Sequence, residues 1–277
     1  MIEIKDLAFS YGNVPVLKSI TTTLEEGRIY GLLGENGVGK TTLLTLLCGL
    51  KRVTGGSITT DGENPFDRTP LLLQNQYYLP DEVLPVPMKA ESFAKERGRF
   101  WPNYDHTRFL GIMREFENDP DKKMSQMSAG QLKKVYISLA LACGCKYIFM
   151  DEPTNGLDIP SKAQFRGAIM KYTSEASTIV ISTHQVRDLE NIIDPIMILD
   201  RQDVLLNATV EEITGRLYFD YGTQLHPESL YSEQLPGGFI QVRPNTTGED
   251  SKINVEALFN AVHKNKELIK GMFNNKQ

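Results

Sequence analysis

The eight residues Gly34-Glu35-Asn36-Gly37-Val38-Gly39-Lys40-Thr41 restrict what this chain can fold into more than any other stretch. Their spacing is glycine, four residues, glycine, lysine and a hydroxyl residue, which is what a backbone needs to wrap a phosphate. The mostly apolar residues 28–33 before them read as a buried strand, and the leucine-rich residues 41–50 after them as a helix. Glycines let successive N–H groups turn inward, and the helix brings its positive N-terminal end to the same anion. The expected contacts are Gly34, Asn36, Gly37, Gly39, Lys40, Thr41 and Thr42, with Lys40 reaching the outer phosphates and Thr41 ligating Mg²⁺. With glycine at about 7% of residues, a chain this long shows the pattern by chance about once in a hundred. A nucleotide site is therefore a better reading than a glycine-rich turn with an exposed lysine.

A second segment supplies carboxylates. Tyr147-Ile148-Phe149-Met150-Asp151-Glu152 is an apolar run that ends on two acids. By itself it would be a strand end with solvated carboxylates. Downstream of a phosphate loop, Asp151 is expected to hold Mg²⁺ and Glu152 to polarise the water that attacks the terminal phosphate.

The rest of the chain alternates. Strands are expected at 2–9, 20–24, 28–33, 57–60, 147–150, 178–182 and 196–199, with 204–207 as an antiparallel partner. Helices are expected at 41–50, 130–141, 163–172 and 186–193. This rhythm implies an α/β fold with a mostly parallel sheet covered on both faces. Between about 85 and 130 the texture changes: prolines cluster at 85, 87 and 102, and 89–100 and 105–116 look amphipathic. That stretch reads as an inserted helical subdomain. Residues 213–277 read as a small α+β extension with β-like stretches at 217–221 and 239–242. It closes on one amphipathic helix carrying Val255, Leu258, Phe259, Val262, Ile269, Met272 and Phe273.

The net charge of −5 gives no support to nucleic acid as a direct partner. Glu3, Lys5 and Asp6 stand where a signal peptide would be apolar, and the longest mostly apolar run, 135–150, is interrupted by Lys146. Any membrane role would thus go through another protein. Cys48, Cys143 and Cys145 are too few for a disulfide framework and lack a second pair for zinc, so reduced thiols are expected.

Further residues carry a resemblance. Met127-Ser128-Ala129-Gly130-Gln131 lies shortly before the acidic pair, Asn155-Gly156-Leu157-Asp158 follows it, and Ile181-Ser182-Thr183-His184 ends the next strand. With the phosphate loop, these segments make residues 1–212 resemble the ATP-binding cassette family. The resemblance implies a P-loop NTPase (RecA-like) core with an antiparallel β subdomain. It also implies a signature sequence at Ser128, Gly130 and Gln131 that meets the γ-phosphate of ATP held by an opposite protomer. Asp158 would line that dimer interface, His184 would sense the γ-phosphate, and Tyr11 would stack on adenine. Taken alone, Ser128 would be a helix cap and Tyr11 a core aromatic. The loop that usually presents glutamine to the metal reads Tyr78-Leu79-Pro80-Asp81 here, so Asp81 takes that place, with Gln76 as second choice.

The implied activity is ATP hydrolysis driving transport through a separate membrane permease, in the style of bacterial exporters. Mg²⁺ would be the metal, a second cassette the partner, and the cytoplasmic face of the membrane the location. A cassette acting on translation or nucleic acid is the alternative, but such relatives carry two fused cassettes, coiled-coil arms or DNA domains.

Overall fold

The computed structural model describes residues 1–200 and 203–274. The chain opens with β1 (Ile2–Tyr11), β2 (Val14–Leu24) and β3 (Ile29–Leu33), followed by α1 (Lys40–Leu47) and β4 (Gly55–Thr60). Next come α2 (Pro70–Gln74), β5 (Gln76–Leu79), α3 (Ala90–Gly98), α4 (His106–Glu115) and α5 (Ala129–Ala142). The α/β rhythm resumes with β6 (Tyr147–Asp151), α6 (Ile159–Tyr172), β7 (Thr178–Thr183), β8 (Ile196–Asp200) and β9 (Asp203–Ala208). The last part holds α7 (Val210–Arg216), β10 (Leu217–Gly222), β11 (Tyr231–Leu235), β12 (Gly238–Pro244), α8 (Val255–Lys264) and α9 (Lys266–Asn274).

Six strands form the central sheet in the order β5-β6-β7-β3-β8-β9, parallel except for β9, which runs antiparallel to β8. Period two explains why near-continuous apolar strands suit its middle. Tyr147 and Phe149 of β6 join a core that contains Leu43, Leu46 and Leu47 of α1. Ile148 and Met150, the alternate residues, join the opposite core with Phe109, Leu139 and Phe165 of the surrounding helices. Met197 and Leu199 of β8 divide from Ile196 and Ile198 in the same way.

Two smaller antiparallel sheets flank this body. One has the order β2-β1-β4, the expected β subdomain, and the other the order β10-β12-β11. In the 85–130 stretch, α3 and α4 pack on each other and on α5.

The structure differs from the sequence reading in two helices. Residues 186–193 make only a 3₁₀ turn, Val186–Asp188, rather than a helix. The backbone beyond it is claimed by β3: Asp194 N donates to Ile29 O at 2.8 Å and Gly31 N to Pro195 O at 3.0 Å. Pro195 also disfavours helix in the residue before it. The closing helix is two helices, α8 and α9, separated at Asn265, whose amide donates to Leu230 O and Ala261 O. An asparagine that serves nearby carbonyls competes with the helical ladder. Sequence reasoning also gave no sign of β5, a four-residue edge strand too short to show a period.

Candidate nucleotide site

The strand order gathers the singled-out residues at one edge. Leu33 of β3 pairs with Thr183 of β7, Asp151 of β6 with Ser182 of β7, and Leu79 of β5 with Met150 of β6. Four neighbouring parallel strands therefore end together, and the loops after β3, β6 and β7 carry the group described next. In parallel α/β sheets this carboxyl edge is where ligands bind.

After β3, the phosphate loop turns through Gly37 (φ +84°) and Gly39 (φ +112°), both in the left-handed region. A Cβ on Gly39 would also meet Leu17 Cδ2 at 2.9 Å, and the φ itself favours glycine there. Gly39 is the N-cap of α1 and offers no side chain to its first N–H groups, which leaves those donors for an anion. Lys40 is buried and folds back over its own loop, Nζ donating to Gly34 O at 2.7 Å and Glu35 O at 3.2 Å.

After β6, Thr41 Oγ1 donates to Asp151 Oδ2 at 2.6 Å. A hydroxyl and a carboxylate in contact are hard oxygen donors of the kind Mg²⁺ takes. Among the described residues no cluster of three acidic, imidazole or thiol groups could hold a metal. Mg²⁺ at Thr41 and Asp151 would therefore need phosphate oxygens and water to complete its shell. Asp151 is anchored on its other oxygen by Ser182 Oγ at 2.5 Å.

Glu152 is buried, and its Oε1 lies 3.5 Å from Lys40 Nζ and 2.9 Å from His184 Nδ1. Its N–H reaches Ser182 O at 3.2 Å and Ser182 Oγ at 3.1 Å. Ser182 thus holds both acids, a role the sequence did not reveal; the one hint was a polar residue in the fully buried strand Thr-Ile-Val-Ile-Ser-Thr. Lys40, Thr41, Asp151, Glu152 and His184 accordingly form one connected group.

Tyr11 stands at the end of β1 with its ring about half exposed, and its hydroxyl lies 3.4 Å from Thr42 Oγ1. That bond, opposed by burial and aided by Lys51 over the ring at 4.6 Å, lowers the phenol's pKa from its usual value. Asp81, after β5, is not hydrogen-bonded to that connected group: its carboxylate receives Asn155 Nδ2 at 3.2 Å and pairs with Lys133 at 3.5 Å. Burial lowers the pKa of Lys133 despite the pull of Asp81. Gln76 is sunk at the start of β5, its amide donating to Cys48 O at 3.0 Å.

Ser128, Gly130 and Gln131 open α5 and are not part of the connected group. Ser128 Oγ accepts from Gln131 N, and Gln131 Oε1 accepts from Ser128 N, each at 3.2 Å, which is a reciprocal capping box. Lys122 Nζ also donates to Gln131 Oε1. Asp158 caps α6, its Oδ1 accepting from Ser161 N at 2.9 Å, and the Ser161 contacts lower its pKa. The three cysteines are free and buried, and burial pushes the Cys145 thiol up to about 12. Among the described residues no helix is long and apolar enough to cross a membrane.

Comparison with known proteins places this geometry. A family model described as ABC transporter matches residues 17–155. The chain is 31% identical to the ABC transporter ATP-binding protein YtrB of Bacillus subtilis over 77% of its length and 73% of the relative's. It is 25% identical, with a TM-score of 0.70, to a solved ATP-binding subunit of an ABC transporter, covering 77% of this chain and 91% of that one. A dimeric ATP-binding cassette solved with ADP and phosphate has a TM-score of 0.67 at 22% identity, over 76% of this chain and 99% of that one, and shares the fold.

Proposed function

Because this chain belongs to the ABC transporter family, as an ATP-binding and ATP-hydrolysing subunit, we propose that it drives a separate membrane permease as half of an ATP-clamped pair. The observation that carries the reading is the single group of Lys40, Thr41, Asp151, Glu152 and His184 at the ends of three adjacent strands. An incoming γ-phosphate would draw Lys40 Nζ off the carbonyls of Gly34 and Glu35 and replace them as its partner. Thr41 and Asp151 would hold Mg²⁺, which would neutralise phosphate charge. Glu152, freed of Lys40, would accept the proton of the attacking water while His184 holds its carboxylate from the side.

The clamp needs a second cassette. Ser128 and Gly130 stand at the start of α5, and the donors there would meet the γ-phosphate held by an opposite copy. Asp158 would lie in that interface. Tyr11 would stack on adenine, and Asp81 would take the place of the glutamine that links the metal site to the permease.

A groove of about 440 Å³ runs beside β5, lined by Cys48, Leu50, Pro70, Tyr78, Phe100 and Trp101. Leu50 and Phe100 are exposed there. We place the permease contact in this groove, with the helical insert of residues 85–130 as one wall and residues 213–277 as a separate extension. The chain would then sit on the cytoplasmic face of the membrane through its partner. The Tyr78–Asp81 loop and the tail after 212 support export as the direction.

The test is Leu50→Asp with Phe100→Asp in the full chain. Co-purification of the permease from membranes should be lost while basal ATPase of the isolated subunit stays at the wild-type level. Retained permease, or a ribosome or DNA in its place, sinks the reading.

A further inference from the structure

Gln185 follows His184 and is gripped from α6. Lys162, one turn into α6, donates from Nζ to Gln185 Oε1 at 2.9 Å. The same Nζ lies 2.7 Å from Asp188 Oδ2, an ion pair without hydrogen-bond alignment. Both charged side chains are mostly buried, at 19% and 17% exposure. Arg166, one turn further along α6, donates to Asp188 O at 3.0 Å. Two cations of one helix therefore hold the turn that carries His184.

A donor inventory makes this more than bracing. Lys162 can only donate, so the Gln185 amide atom facing it must be the carbonyl oxygen. The other end of that amide, 3.4 Å from His184 Nε2, is then the NH₂ group, also a donor. His184 Nε2 must accept, which leaves the ring proton on Nδ1, 2.9 Å from Glu152 Oε1. Gln185 N, bonded to Thr183 Oγ1 at 2.9 Å, fixes where this amide starts.

We infer that Lys162 is a positioning residue for hydrolysis: Glu152 already calls for a proton on Nδ1 of His184, and Lys162, through Gln185, keeps a donor on Nε2 and so holds that nitrogen bare. The inference rests on the reading of Glu152 and His184 given above and adds the residue that sets their hydrogen-bond polarity.

Two measurements on the full chain test it. The imidazole ¹⁵N shifts of His184, assigned by difference with His184→Asn, should show a protonated Nδ1 and a bare Nε2 in wild type. Lys162→Met frees the Gln185 amide to turn its oxygen toward Nε2, so the Nε2 signal should move toward the protonated value, and Lys162→Arg, still donor-only, should restore the bare one. Wild-type shifts in Lys162→Met overturn the inference whatever the ATPase rate does. In steady-state kinetics Lys162→Met should lower kcat on the order of ten- to a hundredfold with KM for ATP unchanged. Combined with His184→Ala it should add no further loss, because both act through one imidazole. Losses that multiply overturn the inference. If His184→Ala alone hydrolyses ATP like wild type, the role given to His184 fails, while the ¹⁵N measurement still decides whether Lys162 keeps Nε2 bare.

Discussion

Glu152 has φ +43°, in the left-handed region that a residue with a Cβ enters at a cost of about 1–3 kcal/mol. Two contacts to Ser182 and two to His184 hold it there, so the strain coincides with the residue given the hardest chemical task. Replacing its carboxylate with an amide removes the proton acceptor and leaves the shape. Glu152→Gln should bind ATP as wild type does and lose turnover by about a hundredfold or more. Lys40→Ala should lose turnover and nucleotide affinity together, since its ammonium is the charge that meets the phosphates. Equilibrium binding with ATPase rates on both variants checks this, and wild-type hydrolysis by Glu152→Gln removes it as the base. Lys40, Thr41, Asp151 and Glu152 were legible in the sequence because each must sit at a fixed place in the loop after a strand or at that strand's end and be of one chemical type, and His184 through the resemblance alone. Ser182 was not legible. A lone serine in a buried strand carries no period, and its partners, Asp151 and Glu152, become neighbours only once β6 and β7 pair.

At the level of elements, the start of α5 can be split into two roles. Ser128 is an N-cap here, and a cap can be kept while the charge is changed, because aspartate caps about as well as serine. Ser128→Asp should leave thermal unfolding near wild type and add a negative charge where the partner's γ-phosphate would arrive. In a Glu152→Gln background, which should accumulate an ATP-dependent dimer, Ser128→Asp should remain monomeric in size-exclusion chromatography. A dimer formed as readily as with serine reduces Ser128 to a cap. The boundaries of α1, α5 and β6 followed from apolar runs and their caps. The 186–193 segment misled because its apolar residues, Val186, Leu189 and Ile193, do face a core, but from turns that end where Asp194 and Pro195 bond to β3. Burial was readable there and hydrogen bonding was not.

For the molecule as a whole, the antiparallel β subdomain is tied to the main sheet by charge. Asp61, in the turn after β4, receives Tyr147 Oη of β6 at 2.7 Å and Lys146 Nζ at 2.9 Å. Burial raises this carboxyl's pKa, but the bonds from Lys146, the Met1 amino group and Tyr147 outweigh it and hold the group well below the usual carboxylate range. A depressed folded pKa contributes stability above the unfolded value, about 3.9, and that contribution is lost as pH falls below it. Asp61→Asn should therefore lower the urea midpoint at pH 7, with the gap from wild type closing below about pH 4. A gap that is constant with pH refutes the linkage. The order of strands in the central sheet also governs how the chain can be made. β3, which carries the phosphate loop, is flanked by β7 and β8, and these begin only at Thr178 and Ile196. On a ribosome adding roughly 5–20 residues per second, β3 emerges and waits on the order of ten seconds with both edges unpaired. The loop that grips ATP is thus among the first parts synthesised and among the last to be built, so a nascent chain cut short of β7 has no nucleotide pocket to fill.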